Sequence, residues 1–305
     1  MTIERIVVLS GPTASGKSAL ALALAREFPL EIVNADSLQV YRRFDIGTAK
    51  PTAAERREVP HHLIDVADPD EPYDAGRYVR DAERAMGEIR ARGKVPILVG
   101  GTGMYIRALL RGLDPLPSDP RVREELSRRW EAEGGAALHA ELARIDPGTS
   151  AKVHPSDRLR ILRALEIGAV SGIPPSRARA SWTSADARHA CLFLALWPDR
   201  ETLYGRIDAR TEEMFRRGLV EEVRGLLAGG FDRSLKPMMA LGYRHAEAHL
   251  LDGVPISETI EAAKRDTRRY AKRQLTWLSS EPTLVHIVPG EASRPPRDVV
   301  RMYLS

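Results

Sequence analysis

A chain of 305 residues, 43% hydrophobic and 29% charged, can bury a sizeable core as one large domain with an insertion, or as two domains. No apolar run is long enough to cross a bilayer, and Met1 leads almost directly into a strand-like segment, so neither a signal peptide nor an anchor is expected and the reading is cytoplasmic. The single Cys191 excludes an internal disulfide and reads as a buried strand thiol, while a net charge of +4 permits a polyanionic partner without requiring one.

The first predicted strand is the apolar run Ile6 to Leu9, and an Ala/Leu helix is predicted over Ala19 to Arg26. Between them stands Gly11-Pro12-Thr13-Ala14-Ser15-Gly16-Lys17-Ser18, a complete G-x-x-x-x-G-K-S/T phosphate loop. Glycines let such a loop wrap until its backbone N–H groups converge on phosphate oxygens, and the helix behind it points its positive end at the same anion. Lys17 adds a point charge and Ser18 a hydroxyl for magnesium. A strand near Glu31–Val33, a helix over Arg77 to Arg92 and a strand at Val95–Val99 continue the alternation. The pattern predicts an α/β fold, a parallel sheet flanked by helices. Ligands of such sheets sit at the carboxyl ends of the strands. The phosphate loop, Asn34-Ala35-Asp36-Ser37 and Gly100-Gly101-Thr102-Gly103 are therefore expected around one crevice.

From Pro115 the pattern becomes charged, helical and strand-free to about Ser181. The expected organisation is a catalytic core over 1–114, a helical insertion over 115–183, and a core continuation over 184–305. Ala190–Leu196 is expected to be its final strand, followed by helices around Glu201–Arg217, Leu219–Leu227, Pro237–Leu251 and Ile256–Leu278 and a Pro-containing tail. The last of these helices carries Lys264, Arg265, Arg268, Arg269, Lys272 and Arg273 at three- and four-residue spacing, mostly on one side. By itself such a run is usually a solvated face.

Motor and switch NTPases hold magnesium through an Asp at a strand end, but Pro96-Ile97-Leu98-Val99 runs into two glycines, which weakens an ATPase reading. An acid does follow the second strand, Asp36, where a general base for an acceptor belongs; capping a helix is its commoner job. Thr102 is also a candidate cap. His61-His62 reads as structural, since adjacent residues diverge and no further ligands lie at suitable spacing. Trp182, Trp197 and Trp277 read as packing residues. A small-molecule kinase and a nucleotide-switched RNA-binding protein stay open at this point.

The phosphate loop, Asn-Ala-Asp-Ser-Leu-Gln-Val-Tyr (34–41), Asp-Ile-Gly-Thr-Ala-Lys-Pro (45–51), Val-Gly-Gly-Thr-Gly-Met-Tyr (99–105), Ala-Leu-Gly-Tyr (240–243) and Ala-Lys-Arg-Gln-Leu-Thr-Trp-Leu (271–278) together resemble the tRNA dimethylallyltransferase (IPP transferase) family, from residue 6 to about 278. The resemblance implies transfer of a dimethylallyl group from dimethylallyl diphosphate to the exocyclic amine of the adenosine 3′ of the anticodon in tRNA. Residues 11–18 would hold the departing diphosphate, with Lys17, Arg210 and a Mg2+ on Ser18 stabilising it. Asp36 would act as base and Thr102 would orient the amine. Contacts to tRNA are implied at Asp36, Ser37, Leu38, Gln39, Thr102, Arg123, Leu159, Arg160, Ile161, Leu162 and Arg163, joined by Arg158. On the basic helix they fall at Arg268, Arg269, Lys272, Arg273 and Gln274, the last reading a base edge. An isopentenyltransferase for free adenine nucleotides is the near alternative, against which the basic helix argues. A monomer is expected.

Overall fold

The computed structural model describes residues 5–113, 116–178, 189–281, 284–287 and 295–305. In chain order the elements are β1 (Arg5–Ser10), α1 (Lys17–Glu27), β2 (Leu30–Asn34), α2 (Ala53–Glu58), β3 (His61–His62), α3 (Ala75–Ala91), β4 (Val95–Gly100) and α4 (Gly103–Arg111). There follow α5 (Pro120–Ile145), α6 (Pro147–Ser150), α7 (Arg158–Ser171) and α8 (Pro175–Ala178). The rest are β5 (Ala190–Leu196), α9 (Arg200–Arg216), α10 (Leu219–Ala228), α11 (Tyr243–Asp252), α12 (Ile256–Leu278), β6 (Leu284–Ile287) and α13 (Pro296–Leu304).

The strands form one parallel sheet ordered β3-β2-β4-β1-β5-β6, a P-loop NTPase-like arrangement. Successive strand residues point to opposite faces, so Ile6, Val8, Val33, Leu98 and Phe193 join one core while Val7, Leu9, Ile32, Ile97 and Leu194 join the other. Burial on both faces is why the strands read as unbroken apolar runs. Register then sets the site. Ser10 pairs with Gly100 and Asn34 with Val99, so the chain leaves β1, β4 and β2 side by side at the carboxyl end of the sheet.

Two compact units result, Met1–Leu110 with Ala187–Ser305, and Arg111–Asp186. The smaller contains α5 to α8 around Leu126, Leu138, Leu142, Ile161 and Leu165, and its described residues are free of strands. Its longest helix bends at Gly134. Trp182 lies outside the described residues.

Several boundaries differ from the sequence expectation. Ala190–Leu196 is not the last strand, because β6 adds to it in parallel at the edge of the sheet. The tail carries α13, which packs Val300 into the core beneath the sheet. Helix α11 begins only at Tyr243, since Pro237 to Leu241 follow a chain of turns. Helix α2 was missed although Thr52 and Glu55 form a reciprocal capping box, a signature visible in sequence. Among the described residues no helix is long and apolar enough to cross a membrane.

Candidate active site

The phosphate loop wraps as its glycines dictate. Gly11 has φ +154, and a Cβ there would come within 2.7 Å of Ser15 Oγ and 3.1 Å of the Leu196 carbonyl, so only glycine fits. Ser15 N donates to Pro12 O at 3.2 Å to close the turn. Helix α1 starts at Gly16 with no side-chain cap and no acid in its first turn, leaving its leading amides and positive end open to an anion. Lys17 reaches back to donate to Pro12 O at 3.3 Å. Burial, then the neighbouring Arg210, push its ammonium down to about 8, against the opposing pull of Asp36.

The loop opens on a cavity of about 780 Å³. Its walls hold Lys17 and Ser18 from α1, Asp36, Ser37, Leu38 and Gln39 after β2, Arg206 and Arg210 from α9, and Tyr270, Arg273 and Gln274 from α12. Lys17, Asp36 and Arg210 thus converge, and none of the three has an ion-pair partner within 4 Å among the described residues. Burial lowers Arg210 from its ordinary value and Asp36 works against that shift. Asp36 does not cap a helix. Its Oδ1 accepts from Leu38 N at 2.9 Å in a tight turn, and its own N–H donates to Asn34 Oδ1 at 3.0 Å. An apolar side of the same cavity comes from Ile46, Ile207, Met214, Phe215 and Met239.

Thr102 stands behind this wall. Its hydroxyl accepts from Ser37 N at 3.0 Å and its N–H donates to Ala35 O at 3.1 Å, so it braces the Asp36 turn while its carbonyl starts α4. Gln39 turns inward to the carbonyls of Thr48 and Ala49. Tyr270 was missed by sequence reasoning. Burial, then the Asp36 charge, push its phenol up, so it is a neutral donor on the cavity wall. The signal was available: Ala263, Thr267, Tyr270 and Gln274 line the cavity at spacings of four, three and four, one face of a helix.

The expected basic stripe on α12 is largely neutralised. Lys264 is 8% exposed and bound to Glu212 and Glu261; Arg268 Nη1 donates to both carboxylate oxygens of Asp208; Arg265 and Arg269 lie beside Asp266. Only Lys272 and Arg273 among the six lack an ion-pair partner among the described residues, Arg273 lying over the Tyr270 ring. Gln274 is turned away from solvent, 7% exposed, with both amide ends held by backbone, so its placement does not suit base reading. Within the smaller unit, Leu159 is 81% exposed and Arg160 is exposed, but Ile161 and Leu162 are core residues, as helical periodicity requires. Arg123 and Arg163 both bind the buried Glu166, and Arg158 binds Ser127 and Glu131. His61 and His62 are structural, bound to Val59 O and Glu31. Trp197 and Trp277 pack against the core.

Fold and site define a P-loop α/β transferase core. The IPP transferase family model matches residues 39–281 and an isopentenyl transferase model matches residues 4–66. A tRNA dimethylallyltransferase of Desulfosudis oleivorans is 47% identical over 99% of this chain and 97% of its own length, and tRNA dimethylallyltransferase 1 of Trichlorobacter lovleyi is 49% identical over 95% of each. The full-length tRNA isopentenylpyrophosphate transferase of Bacillus halodurans superposes with a TM-score of 0.71 at 34% identity, covering 99% of this chain and 95% of that one. A eukaryotic dimethylallyltransferase acting on tRNA superposes with a TM-score of 0.79 at 28% identity over 98% of this chain and 77% of that one. The chain belongs to the IPP transferase family, the tRNA dimethylallyltransferases.

Proposed function

We propose that this chain transfers a dimethylallyl group from dimethylallyl diphosphate to the exocyclic N6 amine of the adenosine 3′ of the anticodon in tRNA, releasing diphosphate. The observation that carries the reading is the convergence of Lys17, Arg210 and Asp36 on one cavity without ion-pair partners among the described residues. Two cations and the open amides of α1 suit a leaving diphosphate, whose charge grows as the allylic C–O bond stretches. The amine lone pair is delocalised into the purine, so a proton must leave as the C–N bond forms, and Asp36, the wall carboxylate that faces Lys17 and Arg210, is the group we assign to take it. Thr102 acts on the acceptor side by fixing the Ser37 backbone next to that carboxylate. With Gly100-Gly101 at the end of β4 in place of an acid, the kinase reading lacks a metal-holding carboxylate there.

The donor set fits magnesium. Ser18 offers a hard oxygen on the cavity wall, and the described residues include no cluster of three or more His, Cys, Asp or Glu side chains, so diphosphate and water would complete the shell. Bound there, the ion would neutralise charge developing on the leaving group. Chelation is expected to abolish turnover while leaving tRNA affinity within about threefold, since uniform binding and transition-state stabilisation separate in this way. We further read the protein as a cytoplasmic monomer.

The test incubates the protein with unmodified tRNA, labelled dimethylallyl diphosphate and magnesium, digests the RNA and looks for a prenylated adenosine. No such product with tRNAs carrying adenosine at that position would overturn the proposal. Faster turnover on free adenosine monophosphate than on tRNA would favour the nucleotide-prenylating alternative.

A further inference from the structure

Gln274 joins two loops that are remote in sequence and adjacent at the site. Its Oε1 accepts from Thr13 N in the phosphate loop at 2.8 Å, and its Nε2 donates to Gly101 O, in the loop after β4, at 3.0 Å. The amide is buried, and a Cβ added at Gly101 would come within 2.2 Å of Nε2, so glycine there gives the side chain its room. From Gly101 the connection continues through covalent neighbours and hydrogen bonds. Thr102 N donates to Ala35 O and Thr102 Oγ1 accepts from Ser37 N, on either side of Asp36. One short arc therefore runs from the diphosphate cradle to the carboxylate.

We infer that Gln274 is a positioning residue that sets the spacing between the leaving-group cradle and the acceptor-side loop; this deepens the prenyl-transfer reading and rests on it. The amide is suited to the task because it alone among uncharged side chains of this length offers an acceptor and a donor on one rigid plane. The two backbone partners dictate which end is which: an N–H needs the oxygen and a carbonyl needs the nitrogen. Reacting atoms must be held near 3–3.5 Å, and a misplacement of about 1 Å can cost on the order of 10²-fold. A link that fixes two loops from α12 meets that demand through their backbones, at Thr13 N and Gly101 O.

The experiment compares Gln274→Met, which keeps length but neither hydrogen bond, and Gln274→Glu, which keeps the acceptor and loses the donor, against the intact protein. For Gln274→Met we expect kcat to fall about 10- to 100-fold, with KM for dimethylallyl diphosphate and Kd for tRNA changing less than about threefold. For Gln274→Glu the ratio of its kcat to that of the unaltered protein should rise as pH falls from about 8 to about 6, because a buried carboxyl facing a carbonyl oxygen takes up a proton and regains a donor. A Gln274→Met kcat unchanged from the unaltered protein, or a rise in tRNA Kd with kcat unchanged, overturns the inference. So does a pH-independent ratio for Gln274→Glu, which decides alone if the Met variant does not fold. Hydrogen exchange gives a readout independent of prenyl transfer. Inorganic diphosphate should protect peptides over 11–18 and 99–103 together in the unaltered protein, and only 11–18 in the variants. If the unaltered protein makes no prenylated adenosine yet shows this coupling, the functional reading fails and the positioning role stands; absence of the coupling sinks the positioning role.

Discussion

One carboxylate oxygen of Asp36 is held by the Leu38 amide, which orients the side chain in the cavity without an opposing ion-pair partner among the described residues. Asp36→Asn keeps that acceptor and removes the base, so kcat should fall about 10²- to 10⁴-fold while tRNA and diphosphate affinities persist. Single-turnover kinetics beside equilibrium binding separate the two. Lys17 makes a pH prediction. Its ammonium sits at about 8 before an anion arrives, below the ordinary lysine value, because burial and Arg210 disfavour the charge. A bound diphosphate supplies the opposite charge and raises that value, so binding above pH 8 takes up a proton. Relative to Lys17→Met, which shares the ligand's own ionisations, the diphosphate affinity of the unaltered protein should therefore hold steady below pH 8 and decline as pH rises beyond it, by up to roughly tenfold per unit in the limit of one coupled proton. Calorimetric titration of both proteins with inorganic diphosphate from pH 7 to 10 checks this.

At the scale of elements, buried carboxylates hold the framework around the site. Glu31 on β2 is 2% exposed and binds Arg92, Lys94 and His62, tying β2 to β3 and to the end of α3. Burial works against its ionisation, but hydrogen bonds from Arg92, His62 and Lys94 prevail and hold the carboxyl at about 2. The folded value is lower than the unfolded one. The cluster therefore contributes fully above the ordinary carboxylate range and loses its contribution as pH falls towards 2. Glu31→Gln should cost on the order of 1–3 kcal/mol at neutral pH, discounted for the partly exposed cations, and thermal unfolding across pH should show a smaller loss near pH 2. Glu222 on α10 plays a corresponding part for the loop at 45–51. Its carboxylate accepts from Ile46 N at 2.8 Å and from the Tyr243 hydroxyl at 2.5 Å, and that loop forms one wall of the cavity. A Cβ on Gly47 would come within 2.4 Å of the Tyr243 ring, which explains why Asp-Ile-Gly and Leu-Gly-Tyr go together.

For the whole molecule, the pairing of cations limits what a net charge of +4 can mean for an RNA partner. Log affinity for tRNA should fall linearly with log salt, and each phosphate contact removed should reduce the slope by about 1. Lys272→Ala and Arg273→Ala are expected to do so, because these side chains lack ion-pair partners among the described residues. Lys264→Ala, by contrast, should lower stability and leave the slope unchanged, since its ammonium serves Glu212 and Glu261. Filter binding at several salt concentrations, with thermal unfolding alongside, distinguishes the two classes.

Much of the fold and part of the site were legible from residues alone. The phosphate loop, the alternation of strands and helices, and Asp36 after β2 are local: glycines at fixed offsets, period-two apolar runs and a carboxylate at a strand end carry their own geometry. The short edge strands β3 and β6 were not, because four residues or fewer have too little pattern and become strands only beside a neighbour. The fate of each cation on α12 was equally hidden. Three- and four-residue spacing says which side of a helix a residue occupies, but only α9 packed alongside supplies Asp208 and Glu212, turning Arg268, an expected RNA contact, and Lys264 of the same basic run into internal ion pairs. Gln274 is the sharpest case. Its position in the sequence suggested an outward reader, and its partners, Thr13 and Gly101, are 261 and 173 residues away, a juxtaposition that only the closed tertiary structure creates.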